Sequence, residues 1–235
     1  MKIVLLHGQN HKGSTYHVAH RIVDKIAGEK EITEFFFPRD LDHFCAGCYR
    51  CIEDVAACPY YAEKKVILDA IDEADLLVVT TPTYCMHVSA PLKAFIDLTF
   101  DLWMSHRPME SMFTKRAVVV STAAGTGTRS AIRDVKDALF YMGVPEIVPY
   151  GISVQAMNWQ QVPAKKKAKI EKDTDRIAKK LSVSKAPSVG IRTRFTFRMM
   201  GMLQKKGWNS SPVETAYWKE KGWLDGKKPW KESAV

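Results

Sequence analysis

Four of the five cysteines fall in one short stretch, Cys45-x2-Cys48-x2-Cys51-x6-Cys58, with Pro59 directly after the last. Three thiols at intervals of three can wrap one cuboidal iron-sulfur cluster, with a fourth from farther along completing it. Bacterial ferredoxins use a similar Cys-x2-Cys-x2-Cys run with a Cys-Pro. Tetrahedral zinc more often gathers two cysteine pairs from separated knuckles. Three readings of Cys45, Cys48, Cys51 and Cys58 therefore stand open: a [4Fe-4S] cluster, a zinc ion, or a loop without metal. So tight a grouping does not suit an extended disulfide framework. With no export signal ahead of the first apolar run, it points to a reducing, cytoplasmic setting.

A second chemically suggestive stretch is Gly8-Gln-Asn-His-Lys-Gly-Ser-Thr-Tyr16. It joins a short apolar run to a helical pattern, and unpaired amides at a helix N-terminus favour a phosphate. The stretch nearly matches the ATPase motif G-x4-G-K-[ST]: Gly8, Gly13 and Thr15 sit at the right places, but Ser14 replaces the lysine. Without that lysine, triphosphate hydrolysis is disfavoured and a monoester phosphate remains, held by amides and the hydroxyls of Ser14, Thr15 and Tyr16. An ordinary polar turn is the competing reading. A third loop, Ser121-Thr-Ala-Ala-Gly125-Thr-Gly127-Thr128, begins like a dinucleotide fingerprint but lacks the third glycine and follows the fourth strand instead of the first.

The elements that must position these loops read clearly. Lys2 to Leu6 is a continuous apolar strand without alternation, as in a parallel sheet covered on both faces. Val18, Ile22, Val23 and Ile26 then mark one face of a helix, with Ser14 or Thr15 as the expected N-cap. The unit repeats with strands over 31–37, 75–80, 115–121 and 146–152. Helices are expected over 63–71, 92–102, 130–142 (closed by Gly143) and 164–181. Five strands alternating with helices imply an α/β doubly wound, five-stranded parallel sheet, whose ligands sit at the carboxyl ends of the strands beside the topological switch point.

The segment Pro82-Thr-Tyr84-Cys-Met-His-Val-Ser-Ala-Pro-Leu92-Lys93-Ala-Phe-Ile-Asp97 is similar to the P-x-Y-x7-L-K-x3-D segment of the NADPH-dependent FMN reductase family. That family includes the iron-sulfur flavoproteins and belongs to the flavodoxin-like superfamily. The resemblance covers roughly residues 1–180. It implies a flavodoxin-like fold, FMN as cofactor and NAD(P)H as co-substrate, with electrons passed to a quinone, nitro compound or free flavin. It implies that Pro82, Thr83, Tyr84 and Cys85 line the flavin ring, that Ala124, Gly125 and Gly127 approach its pyrimidine edge, and that the loop with Gln9, His11, Ser14, Thr15 and Tyr16 holds the phosphate. Gln9, Asn10 and His11 stand where the family's usual loop carries Ser, Pro and Arg, which moves the phosphate's support toward Ser14 and the amides. The cysteine spacing resembles that of the iron-sulfur flavoproteins, whose activity is the alternative expectation: an electron carrier joining FMN and a [4Fe-4S] cluster to ferredoxin. No Ser-His-Asp array or carboxylate pair is evident, so no general acid or base is assigned.

A shift to Ser, Pro and Gly over 182–190 marks a linker, dividing a flavodoxin-like FMN-binding domain, 1–182, from a helical or irregular extension, 183–235. The extension is too short for an independent core. It holds Trp208, Trp218, Trp223 and Trp230 and a net charge of +7 of the chain's +9, which suits an acidic partner. Residues 194–206 are expected to form an amphipathic helix. Docking on the main domain or on a second subunit in a homodimer is the plain expectation. Membrane-surface binding rests on composition alone, and nucleic acid is a poor fit because no recognisable module surrounds the basic patch. A composition 46% hydrophobic and 26% charged excludes disorder of the whole.

Overall fold

The computed structural model describes residues 1–182, 187–208 and 211–231. Five parallel strands form one sheet: β1 (Lys2–His7), β2 (Glu31–Phe36), β3 (Leu76–Pro82), β4 (Arg116–Ala123) and β5 (Glu146–Ser153), in the order β2-β1-β3-β4-β5. This is the flavodoxin-like arrangement. The chain moves from β1 outward to β2 and then back across β1 to β3, so the switch point lies between β1 and β3. The central strands are apolar through their middles, Ile3–Leu6, Leu76–Val79 and Ala117–Val120, because both faces are covered. Ile3 and Leu5 of β1 with Leu76 and Val78 of β3 face α1 (Ser14–Asp24) and α6 (Ala164–Leu181). Val4, Leu6, Leu77 and Val79 face α3 (Tyr61–Glu73), α4 (Ala90–Leu98) and α5 (Thr128–Met142); α2 is a single turn, Arg50–Glu53, within the cysteine loop. Gly143 stops α5 as expected: at φ 107° it closes the helix through its N–H to the carbonyls of Leu139 and Phe140.

Most helix ends fall within two or three residues of the sequence expectation, but the end of α4 and the cap of α1 depart from it for physical reasons. The helix expected over 92–102 ends at Leu98 and continues only as a 3-10 turn, Phe100–Leu102. The cause is tertiary. Lys64 Nζ, reaching in from α3, donates to the Leu98 carbonyl at 3.0 Å and pairs with Asp101 at 3.2 Å. The Thr99 hydroxyl donates to the Ile96 carbonyl. Lys64 and Asp101 are each 1% exposed; such a pair is conditional on both members, because removing either strands a buried charge. At α1 the N-cap is Gly13, in extended geometry, and not Ser14 or Thr15.

Of the linker expected over 182–190, residues 183–186 lie outside the described residues. Beyond it, α7 (Ile191–Lys206) and α8 (Pro212–Glu220) pack on the same chain. Phe197, Trp218 and Trp223 form a third apolar cluster with Met104 and Phe113 of the main fold. Gly207, at φ 67°, stops α7. Among the described residues no helix is long and apolar enough to cross a membrane.

Lys115, at the start of β4, is buried with its ammonium donating to the Asp72 and Ala74 carbonyls at 2.7 Å each. Burial pulls its pKa down to about 8. Between pH 8 and about 10 the unfolded chain keeps a proton here that the folded chain has released, so this group makes stability rise with pH. Wild type should therefore gain stability relative to Lys115→Met across that window in denaturant titrations. A pH-independent difference would contradict the assignment.

Candidate cofactor site

Three loops meet at the carboxyl ends of β1, β3 and β4, beside the switch point. The first, residues 8–13, is fixed at its base. Gly8 N–H donates to the Thr80 carbonyl at 2.8 Å, and its own carbonyl accepts from Ser89 Oγ at 2.7 Å. A Cβ on Gly8 would sit 2.5 Å from Ser89 Oγ and 2.8 Å from Thr80 O, so only glycine permits this approach. The loop feeds α1, whose start has no side-chain cap. The Thr15 hydroxyl is turned inward to Thr122 on β4, Oγ1 to Oγ1 2.7 Å. The first-turn amides of α1 are thus left for something else. The cavity in front of them is lined by His7, Gln9, His11, Gly13, Thr15, Tyr16, Thr80 and Pro82. His11 is folded back so that its ring lies against Gly13.

The second loop leaves β3 at Pro82. Thr83 N–H donates to the Thr122 carbonyl at 2.9 Å, and its hydroxyl pairs with Ser121 at 3.0 Å. Residues 84–87 then form a two-bond hairpin between Tyr84 and His87. Its central residues, Cys85 and Met86, sit at φ 47° and 70°. Left-handed geometry at both centres of such a turn normally calls for Asn-Gly, and two ordinary side chains there cost about 1–2 kcal/mol each. The turn is held by Asp134 of α5, which accepts from His87 Nδ1 at 2.9 Å and from Val88 N–H at 3.2 Å. Tyr84, Cys85 and Met86 are all exposed.

The third loop follows β4. Ala124 and Gly125 are exposed, and the Ala124 carbonyl accepts from Ser153 Oγ at 3.0 Å and Gln155 N–H at 3.2 Å. Gly127, at φ 98°, touches the second loop: a Cβ there would lie 2.7 Å from Thr83 Cγ2 and 3.1 Å from Met86 Cα. Gly127→Ala should therefore cost about 1–3 kcal/mol from backbone strain and loop displacement, read as a lowered thermal midpoint; an unchanged midpoint would mean the loops do not bear on one another.

Farther out on the same edge, the cysteine loop encloses its own cavity, lined by Cys45, Cys48, Cys51 and Cys58 with Tyr49, Pro59, Tyr60, Leu98 and Phe100. All four thiols are free. Cys51 is buried, and burial together with Asp101 pushes its pKa up to about 11; Arg107 donates to its carbonyl. No three of the four sulfurs lie within 4.8 Å of one another. A tetrahedral zinc site would hold them about 3.8 Å apart, from a bond length of about 2.3 Å, so the loop is more open than a preformed zinc knuckle.

The description of NADPH-dependent FMN reductases matches residues 1–157 of this sequence as a family model. The chain belongs to that family. An iron-sulfur flavoprotein of Methanocaldococcus jannaschii is 29% identical over 142 residues, 57% of this chain and 69% of that protein. Among solved structures, an FMN-dependent NADH-azoreductase of Bacillus anthracis in complex with FMN superposes with TM-score 0.59 at 12% identity, over 78% of this chain and 100% of the other. The flavoenzyme NAD(P)H:acceptor oxidoreductase of Paracoccus denitrificans gives TM-score 0.51 at 20% identity, over 77% and 96%. At such identities the superpositions speak for the fold. Family membership makes the protein a flavin-dependent oxidoreductase, with FMN and NAD(P)H as its cofactor and co-substrate.

The residues present fit FMN reductase chemistry at the phosphate end. An uncapped helix start and a lining that includes Gln9, His11 and Tyr16 suit an anion. Of the residues singled out in the sequence, Gln9, His11, Thr15, Tyr16 and Pro82 line this one cavity. Ser14, Thr83, Tyr84, Cys85, Ala124, Gly125 and Gly127 lie in the same three loops outside its lining. Sequence reading missed Ser89, Thr122 and Asp134, which build the loops without facing the cavity. Only their pairing across elements reveals them.

Proposed function

We propose that the protein is an FMN-dependent NAD(P)H oxidoreductase that delivers electrons to a small acceptor, a quinone, a nitro compound or free flavin. The observation that carries this reading is the uncapped N-terminus of α1, opening on a donor-lined cavity beside the switch point. Gln9, His11, Thr15 and Tyr16 in its lining, with Ser14 beside it at the first position of α1, would hold the phosphate. Pro82, Thr83, Tyr84 and Cys85 on one side, with Ala124, Gly125 and Gly127 on the other, would wall the ring. The flavin, when bound, accepts hydride and passes electrons on; the chain binds it, orients it and limits solvent. Asp134, through His87 and Val88, keeps the strained 84–87 turn in place for that task. Residues 1–182 are the FMN-binding unit and 183–235 the extension, whose helices α7 and α8 pack on it, in a cytoplasmic setting that keeps the thiols reduced.

A second reading has its own support: four free cysteines around one cavity. There Cys45, Cys48, Cys51 and Cys58 would hold a [4Fe-4S] cluster, and the protein would exchange electrons with ferredoxin, its basic extension meeting an acidic surface. A homodimer is the assembly that goes with either reading, supported by Phe195, Met202 and Trp208, which stay exposed; a monomeric mass at micromolar concentration would contradict it. Anaerobic NAD(P)H oxidation separates the two functions. Rapid turnover with a small acceptor and no bound iron supports the reductase. Four irons per chain, no turnover, and reduction by ferredoxin would replace it with the carrier.

A further inference from the structure

Beneath the phosphate loop, three side chains from three elements converge on one point: His7 at the end of β1, His20 on α1 and Glu34 on β2. His7 Nε2 lies 2.8 Å and His20 Nε2 2.9 Å from the same carboxylate oxygen, Glu34 Oε2. The three ligand atoms lie within 4.8 Å of one another. His7 is 2% exposed, and the side chains of His20 and Glu34 are 21% and 27% exposed, so the cluster is built into the fold yet open on one side. We propose that His7, His20 and Glu34 form a binding site for a divalent transition-metal ion of the zinc type, held by two imidazole Nε2 atoms and one carboxylate.

Two imidazoles and a carboxylate, with a further position open to water, form an established zinc ligand set. Bonds of about 2.0–2.1 Å in tetrahedral geometry separate ligand atoms by about 3.3 Å. The two nitrogen-to-oxygen spacings, 2.8 and 2.9 Å, need to open by only about 0.5 Å to reach it. Both imidazoles already aim at one oxygen, while Oε1 of Glu34 accepts no hydrogen bond among the described residues. A network built for hydrogen bonding alone would more naturally divide the two donors between the two oxygens.

The surroundings are those a metal ligand needs. His7 Nδ1 lies 3.1 Å from Thr80 Oγ1. In the metal-free state Thr80 can donate to Nδ1 while Nε2–H faces Glu34. With an ion bound, the His7 proton moves to Nδ1 and is donated to Thr80 Oγ1, freeing the Nε2 lone pair for the metal with no net proton change on His7. Phe36 stacks on His7 at 4.4 Å and Tyr16 packs over His20 at 4.0 Å, which fixes both ring planes. An ion here would tie β1, β2 and α1 together. The site stands whether or not the flavin reading holds.

The competing ligands are the cysteine loop and the exposed surface group Asp42, His43 and Glu63, so the test uses the full chain carrying Cys45→Ser and Cys48→Ser. After chelator treatment it is dialysed to equilibrium against micromolar zinc chloride, and zinc per chain is measured. The expected result is one zinc per chain and a raised thermal midpoint. Added Glu34→Gln or His20→Ala should each weaken binding at least 100-fold, while added His43→Ala should leave it unchanged. The two ligand variants are partly exposed positions, and either one, if folded by circular dichroism, suffices. No retained zinc, or zinc retained equally in the folded Glu34→Gln or His20→Ala protein, overturns the proposal.

Discussion

Ser14→Asp should leave the fold as stable as wild type and strip the protein of FMN. Ser14 is the first residue of α1, and the helix has no side-chain cap. A carboxylate there meets the positive end of the helix dipole, an interaction of about 0.3–1 kcal/mol, and can take up amide donors that now have no partner. The same carboxylate occupies the place argued for the FMN phosphate, which carries about −1.5 to −2 charges at neutral pH. Two unit charges about 4 Å apart repel by about 4 kcal/mol at an effective dielectric constant of about 20. FMN affinity should therefore fall at least about 100-fold, roughly 2.7 kcal/mol, measured by flavin fluorescence on the apoprotein. The separation of the two effects is the point: a substitution that merely damaged the loop would lower both. An unchanged affinity for FMN would place the phosphate elsewhere.

Trp218→Ala should detach the C-terminal helices without dissolving the sheet. Trp218 is fully buried, stacks on Phe197 with ring centroids 4.8 Å apart, meets Trp223 edge-on at 5.2 Å, and donates from Nε1 to the His106 carbonyl at 2.6 Å. Gly201 of α7 lies flat against its ring. Truncation of a fully buried tryptophan costs about 3–5 kcal/mol, and here it also leaves a carbonyl without its donor. Nearby Glu214, fully buried, holds His106 Nδ1 at 2.7 Å, so loss of the tryptophan loosens a second contact of α8. Because the sheet's two cores share no residue with this cluster, the loss should appear as an early unfolding step and as proteolysis beyond residue 182. A single transition with an unchanged midpoint would show that the extension is not held by this cluster.

The sheet was legible in the sequence because its central strands are covered on both faces: Ile3–Leu6 and Leu76–Val79 are short apolar runs without alternation, bounded by polar residues and repeated between helical patterns. The edge strand β5 tolerates Pro149 for the complementary reason, having a free side. The shortened α4 was not legible. Its end is set by Lys64, a residue 34 positions from the carbonyl it takes, and no local pattern carries that information. The position of the loop after β1, between a strand and a helix start, was legible from its glycines and hydroxyls. Its inward-turned Thr15 was not, because the partner, Thr122, lies 107 residues away. The 84–87 turn went unseen because Cys85 and Met86 are residues that chemistry alone would never place in left-handed geometry. His7, His20 and Glu34 share no spacing rule; three elements had to pack before they met.

The flavin reading turns on whether the amides at the start of α1 grip a phosphomonoester, and comparing FMN with riboflavin tests that most directly. Apoprotein titrated with each ligand should take up FMN one to one, turning yellow, and should bind riboflavin at least about 100-fold more weakly, since only the phosphate distinguishes them. Equal affinity for the two, or a protein that stays colourless with FMN in excess, would contradict the account.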